Sequence, residues 1–203
     1  MATNLQEKIS DNPETAMKYH GVHHLVLNTD DIKKTIDFYQ GVLGMKLIHA
    51  MKTPPGVGTG SGNRGNPPYE EIRHYFFDMG NDDLMAFFEI PKGKEPEHHR
   101  NAIGAMQHVS FSITADMAPE FMKRLDNNGV EYRGPIEAMP GIFSIYFFDC
   151  NDSRLEVTYQ SADNSGQPEN LKAFTQTKEQ ALSELTTVTD DKEWLEWATK
   201  DLA

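Results

Sequence analysis

The strongest constraint in this chain is that one pattern is written twice. Residues 21–47 read GVHHLVLNTDDIKKTIDFYQGVLGMKL, and residues 107–132 read QHVSFSITADMAPEFMKRLDNNGVEY. Each opens with a short apolar strand pattern and continues into an amphipathic helix. In the first, Ile32, Ile36, Tyr39 and Leu43 fall at helical spacing, with Asp30 or Asp31 as N-cap and Gly44 as C-cap. In the second, Asp116, Phe121, Leu125 and Gly129 play the same parts. From His24 to Gly44 is 20 residues and from His108 to Gly129 is 21, so strand, helix and cap keep step.

Both repeats then reach the string YFFD and, beyond it, a glutamate: RHYFFDMGNDDLMAFFE ends at Glu89 and SIYFFDCNDSRLE at Glu156. The first repeat needs 65 residues from His24 to Glu89, the second 48 from His108 to Glu156. The Gly- and Pro-rich stretch 52–69 reads as a loop insertion that accounts for the excess, of the kind that forms lids and binding loops. Each repeat is therefore expected to fold as β-α-β-β-β. The division that follows is an N-terminal extension 1–19, a first module 20–92, a linker 93–105, a second module 106–160 and a helical tail 161–203. The expected class is α+β: two tandem βαβββ modules forming a curled mixed sheet around one cavity. In the tail, Leu171, Phe174, Leu182 and Leu185 suggest one helix and Trp194, Leu195, Trp197 and Leu202 another. These would dock on the domain, on a partner subunit or over the site, with both tryptophans as packing residues.

Composition limits the partners. A formal net charge of −12 lacks the basic footprint that nucleic acid or an anionic membrane surface requires. No stretch of 18 apolar residues occurs and the N-terminus has no apolar core, so neither a span nor a signal peptide is expected. A single cysteine, Cys150, precludes an internal disulfide and suits a reducing cytoplasm. Its place after the strand pattern IYFFD reads as packing rather than as a nucleophile.

Side chains alternate along a strand, so His24, Val26 and Asn28 share one face and His108, Ser110 and Ser112 share another. Glu89 shares a face with Phe87 and Met85, Glu156 with Arg154 and Thr158. The repeat thus offers two histidines and two glutamates at matching places. Two imidazoles and two carboxylates suit a divalent Fe, Mn, Ni, Co or Zn ion with positions open for a small-molecule substrate. The other histidines fit this pattern less well. His23 falls on the opposite face from His24, His74 points away from Tyr75, His98 and His99 lie in the charged linker, and His20 and His49 have no counterpart.

The run GVHHLVLNTDDIKKTIDFYQGVLGMKL, with the second module HVSFSI…RLEVTY, resembles the vicinal oxygen chelate superfamily over about residues 20–160. That group includes glyoxalase I, extradiol dioxygenases, fosfomycin-resistance thiol transferases, methylmalonyl-CoA epimerase and bleomycin-binding proteins. The resemblance implies paired βαβββ modules around a metal, with His24, Glu89, His108 and Glu156 at the ligand positions. A DPDG-like turn is usual before the last strand; here it is DCNDS, residues 149–153. Four ligands imply glyoxalase-like lyase or isomerase chemistry using Ni, Zn or Co, with Glu89 moving the proton. However, Asn28 stands where the glutathione-binding arginine of the bacterial enzyme would fall.

Tyr146, ten residues before Glu156, is placed as in extradiol dioxygenases and fosfomycin transferases, where it bonds a metal-bound substrate oxygen. If Glu89 is not a ligand, His24, His108 and Glu156 form a facial triad. The favoured reading is an Fe(II) dioxygenase of the extradiol type. The glyoxalase-like lyase or isomerase is the alternative, followed by a thiol transferase or a ligand-sequestering resistance protein. Asn28, Phe87, Ser110 and Arg154 are expected to line the substrate pocket, and Tyr146 and Glu89 to act catalytically. A homodimer is a further expectation, with the Trp194/Trp197 helix as one candidate interface.

Overall fold

The computed structural model describes residues 21–52, 72–93, 95, 99–161 and 170–203. The N-terminal extension, His20, His98 and nearly all of the 52–69 insertion lie outside the described residues. The chain is α+β, with two four-stranded mixed sheets and helices. It divides into two units. Unit 1 comprises Met1–His108, Lys123–Glu131 and Phe147–Arg154; unit 2 comprises Val109–Met122, Tyr132–Tyr146 and Leu155–Ala203.

The first sheet has the order β1-β4-β3-β2, from β1 (His24–Thr29), β2 (Lys46–Lys52), β3 (Arg73–Gly80) and β4 (Asp83–Glu89). β1 runs parallel to β4, and the other pairings are antiparallel. Helix α1 (Ile32–Ile36) starts at Asp31, whose extended backbone and side-chain oxygen cap it by accepting from Lys34 N–H at 3.0 Å. It continues as a π-helical segment, Asp37–Val42, closed by Leu43 N–H on the Phe38 carbonyl at 3.0 Å. Gly44 follows at φ +80°, the left-handed stop that its sequence position foretells. β3 and β4 join through Asn81 and Asp82, both at positive φ (53° and 66°). That is the two-residue turn whose twist matches a hairpin, and Asn and Asp tolerate it.

The core of this unit is aromatic. Tyr39, Phe77 and Phe87 are fully buried, with ring centroids 4.7–5.9 Å apart and steeply inclined. The helical segment is thereby anchored on one face of the sheet. The Tyr39 hydroxyl donates to Asp149 Oδ2 at 2.8 Å, while Asp149 Oδ1 accepts from the backbone N–H groups of Asn151 and Ser153. Asn151 also bonds Thr29 at 3.0 Å and Thr35 at 3.2 Å. The DCNDS turn is thus stitched by side chains to the start of the first repeat, which satisfies the otherwise buried Thr29, Thr35 and Asp149.

The second sheet has the order β5-β8-β7-β6, from β5 (Val109–Ser112), β6 (Tyr132–Met139), β7 (Ile142–Phe148) and β8 (Arg154–Gln160), with β5 parallel to β8. Helix α2 (Ala118–Asn127) follows β5. Ile145, Phe147, Leu155 and Val157 are 0–2% exposed and alternate with the residues of the opposite face. The tail contains α3 (Asn170–Phe174), α4 (Lys178–Leu185) and α5 (Lys192–Ala198). A capping box of Thr177 and Gln180 starts α4, and Asp191 caps α5. Leu195 is buried, but Trp197 is 47% exposed, so it is not the packing residue its spacing suggests. Among the described residues no helix is long and apolar enough to cross a membrane.

Candidate metal centre and substrate pocket

In the first repeat the strand register decides which side chains share a face. β1 pairs with β4 as His24↔Leu84, Val26↔Ala86, Asn28↔Phe88 and Thr29↔Glu89. Paired residues point the same way and alternate residues point oppositely. His24, Val26 and Asn28 therefore lie with Leu84, Ala86 and Phe88. Glu89 lies with Met85 and Phe87 on the other face, the one covered by Tyr39. Its carboxylate accepts from the Tyr75 hydroxyl at 3.0 Å and pairs loosely with Arg73 at 3.8 Å. Burial and this hydrogen bond push the Tyr75 phenol up to about 12, so it remains a donor.

In the second repeat Ser110 pairs with Glu156 and Ser112 with Thr158, so Glu156 shares the face of Ser110. Two residues into β5 from His108 the partner is Glu156; two residues on from His24 the partner is Ala86. The expected equivalence of Glu89 with Glu156 is corrected accordingly: the matching position is Ala86, which has no ligand atom. Phe87 needs the same correction. It is 0% exposed against Tyr39 and Phe77, and it is core rather than pocket wall.

The two YFFD strings are also out of phase. Tyr75 and Phe77 pair with Phe87 and Met85, on the face away from His24. Tyr146 shares the face of Ser144 and Ile142, which line a cavity together with Glu156. The misleading signal was the identical string; the informative one was spacing. Glu89 follows Asp78 by eleven residues, and Glu156 follows Asp149 by seven.

The histidines carry ordered partners. His24 Nδ1 lies 2.8 Å from His23 Nδ1, and His108 Nδ1 donates to Gln107 Oε1. Gln107 Oε1 also accepts from Arg154 at 3.2 Å. Arg154 thus reaches the residue that orients His108. An imidazole that donates through Nδ1 presents the Nε2 lone pair, the tautomer that suits a metal ligand. Asn28 is exposed on the face of His24.

Two histidines that the sequence left without a role belong to this same face. His74 pairs with Phe88 and Met51, and His49 with Phe76. The His74 ring stacks on Phe88 at 4.1 Å and lies 6.5 Å from His24, and its Nε2 is buried without a partner. Burial, and then the proximity of His24 and His49, lower its pKa to about 4, so His74 is neutral at physiological pH.

The second sheet supports a cavity of about 370 Å³ whose lining includes Ser110, Ser112, Ser144, Glu156, Thr158 and Phe174. Glu156 is 7% exposed, and Ser110 and Thr158 share a hydroxyl–hydroxyl bond of 2.7 Å. Glu156 is the one charged group among the lining residues. Cys150 stands apart: burial, and then the charge of Asp149, push its thiol up to about 11, which leaves it a poor nucleophile.

Two imidazoles and one carboxylate are a donor set that fits a divalent metal. Among the described residues no three His, Cys, Asp or Glu side chains converge as a ready-made group.

Comparison with known proteins gives consistent results. MhqA of Bacillus subtilis strain 168, assigned as a ring-cleaving dioxygenase, is 29% identical over 154 residues, covering 74% of this chain and 42% of its own length. The chain therefore spans less than half of that relative. A lactoylglutathione lyase of Neisseria meningitidis is 26% identical over 157 residues, covering 68% of this chain and 97% of that protein. A glyoxylase/bleomycin resistance protein/dioxygenase domain from Frankia sp. EAN1pec has a similar fold, with a TM-score of 0.56 at 16% identity over 70% of this chain and 99% of the domain. The family model of the Glyoxalase/Bleomycin resistance protein/Dioxygenase superfamily matches residues 21–141, more than half of the chain, and the protein belongs to that superfamily.

Proposed function

We propose that the protein is a metal-dependent enzyme that cleaves an aromatic diol with dioxygen, in the manner of extradiol dioxygenases. The observation that carries this reading is the register of the first sheet. Ala86 stands in the place that matches Glu156 and Glu89 is turned to the other face, which supports a donor set of His24, His108 and Glu156. Two histidines and one carboxylate are the facial triad of non-haem Fe(II) oxygenases. A divalent metal held there would supply Lewis-acid binding of adjacent substrate oxygens and leave positions for a second reactant.

The chain's own residues have separate tasks. Gln107 orients the His108 ring through Nδ1. Tyr146, on the face of Ser144, donates its phenolic proton to a substrate oxygen. The hydroxyls of Ser110 and Thr158, bonded to each other at 2.7 Å, line the same cavity as the Glu156 carboxylate. Among the described residues the lining holds no Lys or Arg, which suits an uncharged ring better than a phosphonate or a tripeptide conjugate. The likeness to the ring-cleaving relative points the same way.

The test is iron-loaded protein with catechol in an oxygen electrode. Oxygen uptake matched by ring-cleaved product is the expected result. The similarity to a lactoylglutathione lyase over 97% of that protein sustains a second reading. Oxygen-independent turnover of a glutathione–2-oxoaldehyde adduct, without oxygen uptake on any catechol, would replace the first reading by that one.

A further inference from the structure

The repeated modules leave one wall of the Glu156 cavity to residues outside them. The cavity is lined by β-strand residues on one side and by Asn170 and Phe174 of α3 on another. Helix α3 lies in the tail, beyond the 21–141 segment that the family model matches.

Phe174 is 55% exposed. A half-exposed aromatic ring forfeits part of the free energy that burial would give it. At a cavity rim its open ring is available for stacking on a planar ligand. The opposing lining is divided by chemistry: hydroxyls of Ser110, Ser112 and Thr158 around Glu156, and apolar Met139 and Ile142. A volume of about 370 Å³ is at the low end of the roughly 300–1,000 Å³ usual for small-molecule pockets and has room for a single small ring.

We propose that Phe174 and Asn170 complete the substrate pocket and set its specificity: Phe174 stacks on the ring of a one-ring, uncharged diol, and Asn170 bonds a polar substituent of that ring. This inference rests on the reading of the Glu156 cavity as the diol site and adds the tail helix to it. It also predicts which substituents are refused. A bulky group on the ring would collide with Phe174, so the wild-type protein should favour catechol over 4-tert-butylcatechol.

The experiment is anaerobic calorimetry of full-length, iron-loaded protein with these two diols as probes. Phe174→Ala should weaken catechol binding by about three- to tenfold, the range for loss of one aromatic contact. It should also narrow or reverse the preference over 4-tert-butylcatechol. Phe174→Tyr keeps the ring and should restore the wild-type values, which a general loosening of the tail would not do. Asn170→Ala should alter the ranking of 4-substituted polar catechols, and an unchanged ranking would overturn the role of Asn170. Wild-type affinity and preference in Phe174→Ala, with binding still abolished by Glu156→Gln, would overturn the role of the helix and leave the site reading standing. Absence of catechol binding by the wild-type protein would overturn both.

Discussion

Replacing Glu89 by glutamine separates a four-ligand from a three-ligand centre. The carboxylate accepts one hydrogen bond from Tyr75 at 3.0 Å, and glutamine can still accept it through its carbonyl oxygen. What is lost is the ion pair with Arg73, 3.8 Å long, with the arginine side chain 61% exposed. Such a pair contributes about 0–1 kcal/mol. The expected Tm change is therefore less than about 4 °C for a chain of this size. Metal affinity should change by less than about twofold, because Glu89 faces away from His24.

Glu156→Gln removes a proposed ligand, and its effect should exceed the roughly 10–100-fold typical of outer-shell substitutions. Competition against a calibrated chelator, with bound metal measured by elemental analysis, reads both variants on one scale. A Glu89→Gln protein that loses metal as severely as Glu156→Gln, while staying folded, would refute the register argument and restore the four-ligand centre.

His74 and Phe87 give two further tests. His74 is held neutral with a pKa near 4 against about 6.5 in an unfolded chain, so its contribution is complete above pH 6.5 and is lost as pH falls toward 4. Across that window the metal-free protein should lose stability at up to about 1.4 kcal/mol per pH unit from this group, and His74→Phe should flatten that part of a urea-denaturation pH series. An unchanged acid limb would show that His74 is not buried as described. Phe87→Ala should destabilise by about 3–5 kcal/mol, as emptying a packed aromatic site does, with catechol affinity unchanged in the folded fraction. Weakened binding at full stability would return Phe87 to the pocket.

Local features were legible from the chain alone. Asp31 as N-cap, Gly44 as a left-handed stop, and the strand-helix phase of both repeats depend on neighbours within a few residues. The register between β1 and β4 does not. It is set by pairing across some sixty residues and by the length of the β3–β4 turn, and identical strings can sit in opposite phase on either side of such a turn. Glu89 and Phe87 were misassigned for that reason. The burial of His74 was hidden because its partners, Phe88 and Met51, come from neighbouring strands. Phe174 was visible as part of a helix, but its place at a cavity was not, since no local pattern reports what a helix covers.

The loss of symmetry between the repeats has a chemical consequence. A duplicated module with a carboxylate in each copy would offset both charges of a divalent ion. With Ala86 in the first copy, the proposed centre of His24, His108 and Glu156 would keep one net positive charge. That residual charge favours a ligand which binds as a monoanion through adjacent oxygens, because an opposite charge at close range stabilises the deprotonated form. Catechols acidify readily on such a centre, whereas the carboxylates of a tripeptide conjugate would need cationic side chains, and none is among the described residues of the cavity lining. The first sheet has turned its freed face to histidine and phenylalanine, and the second has kept the acid among hydroxyls. Divergence of the two copies therefore suits a diol chelate better than a neutral four-ligand site would.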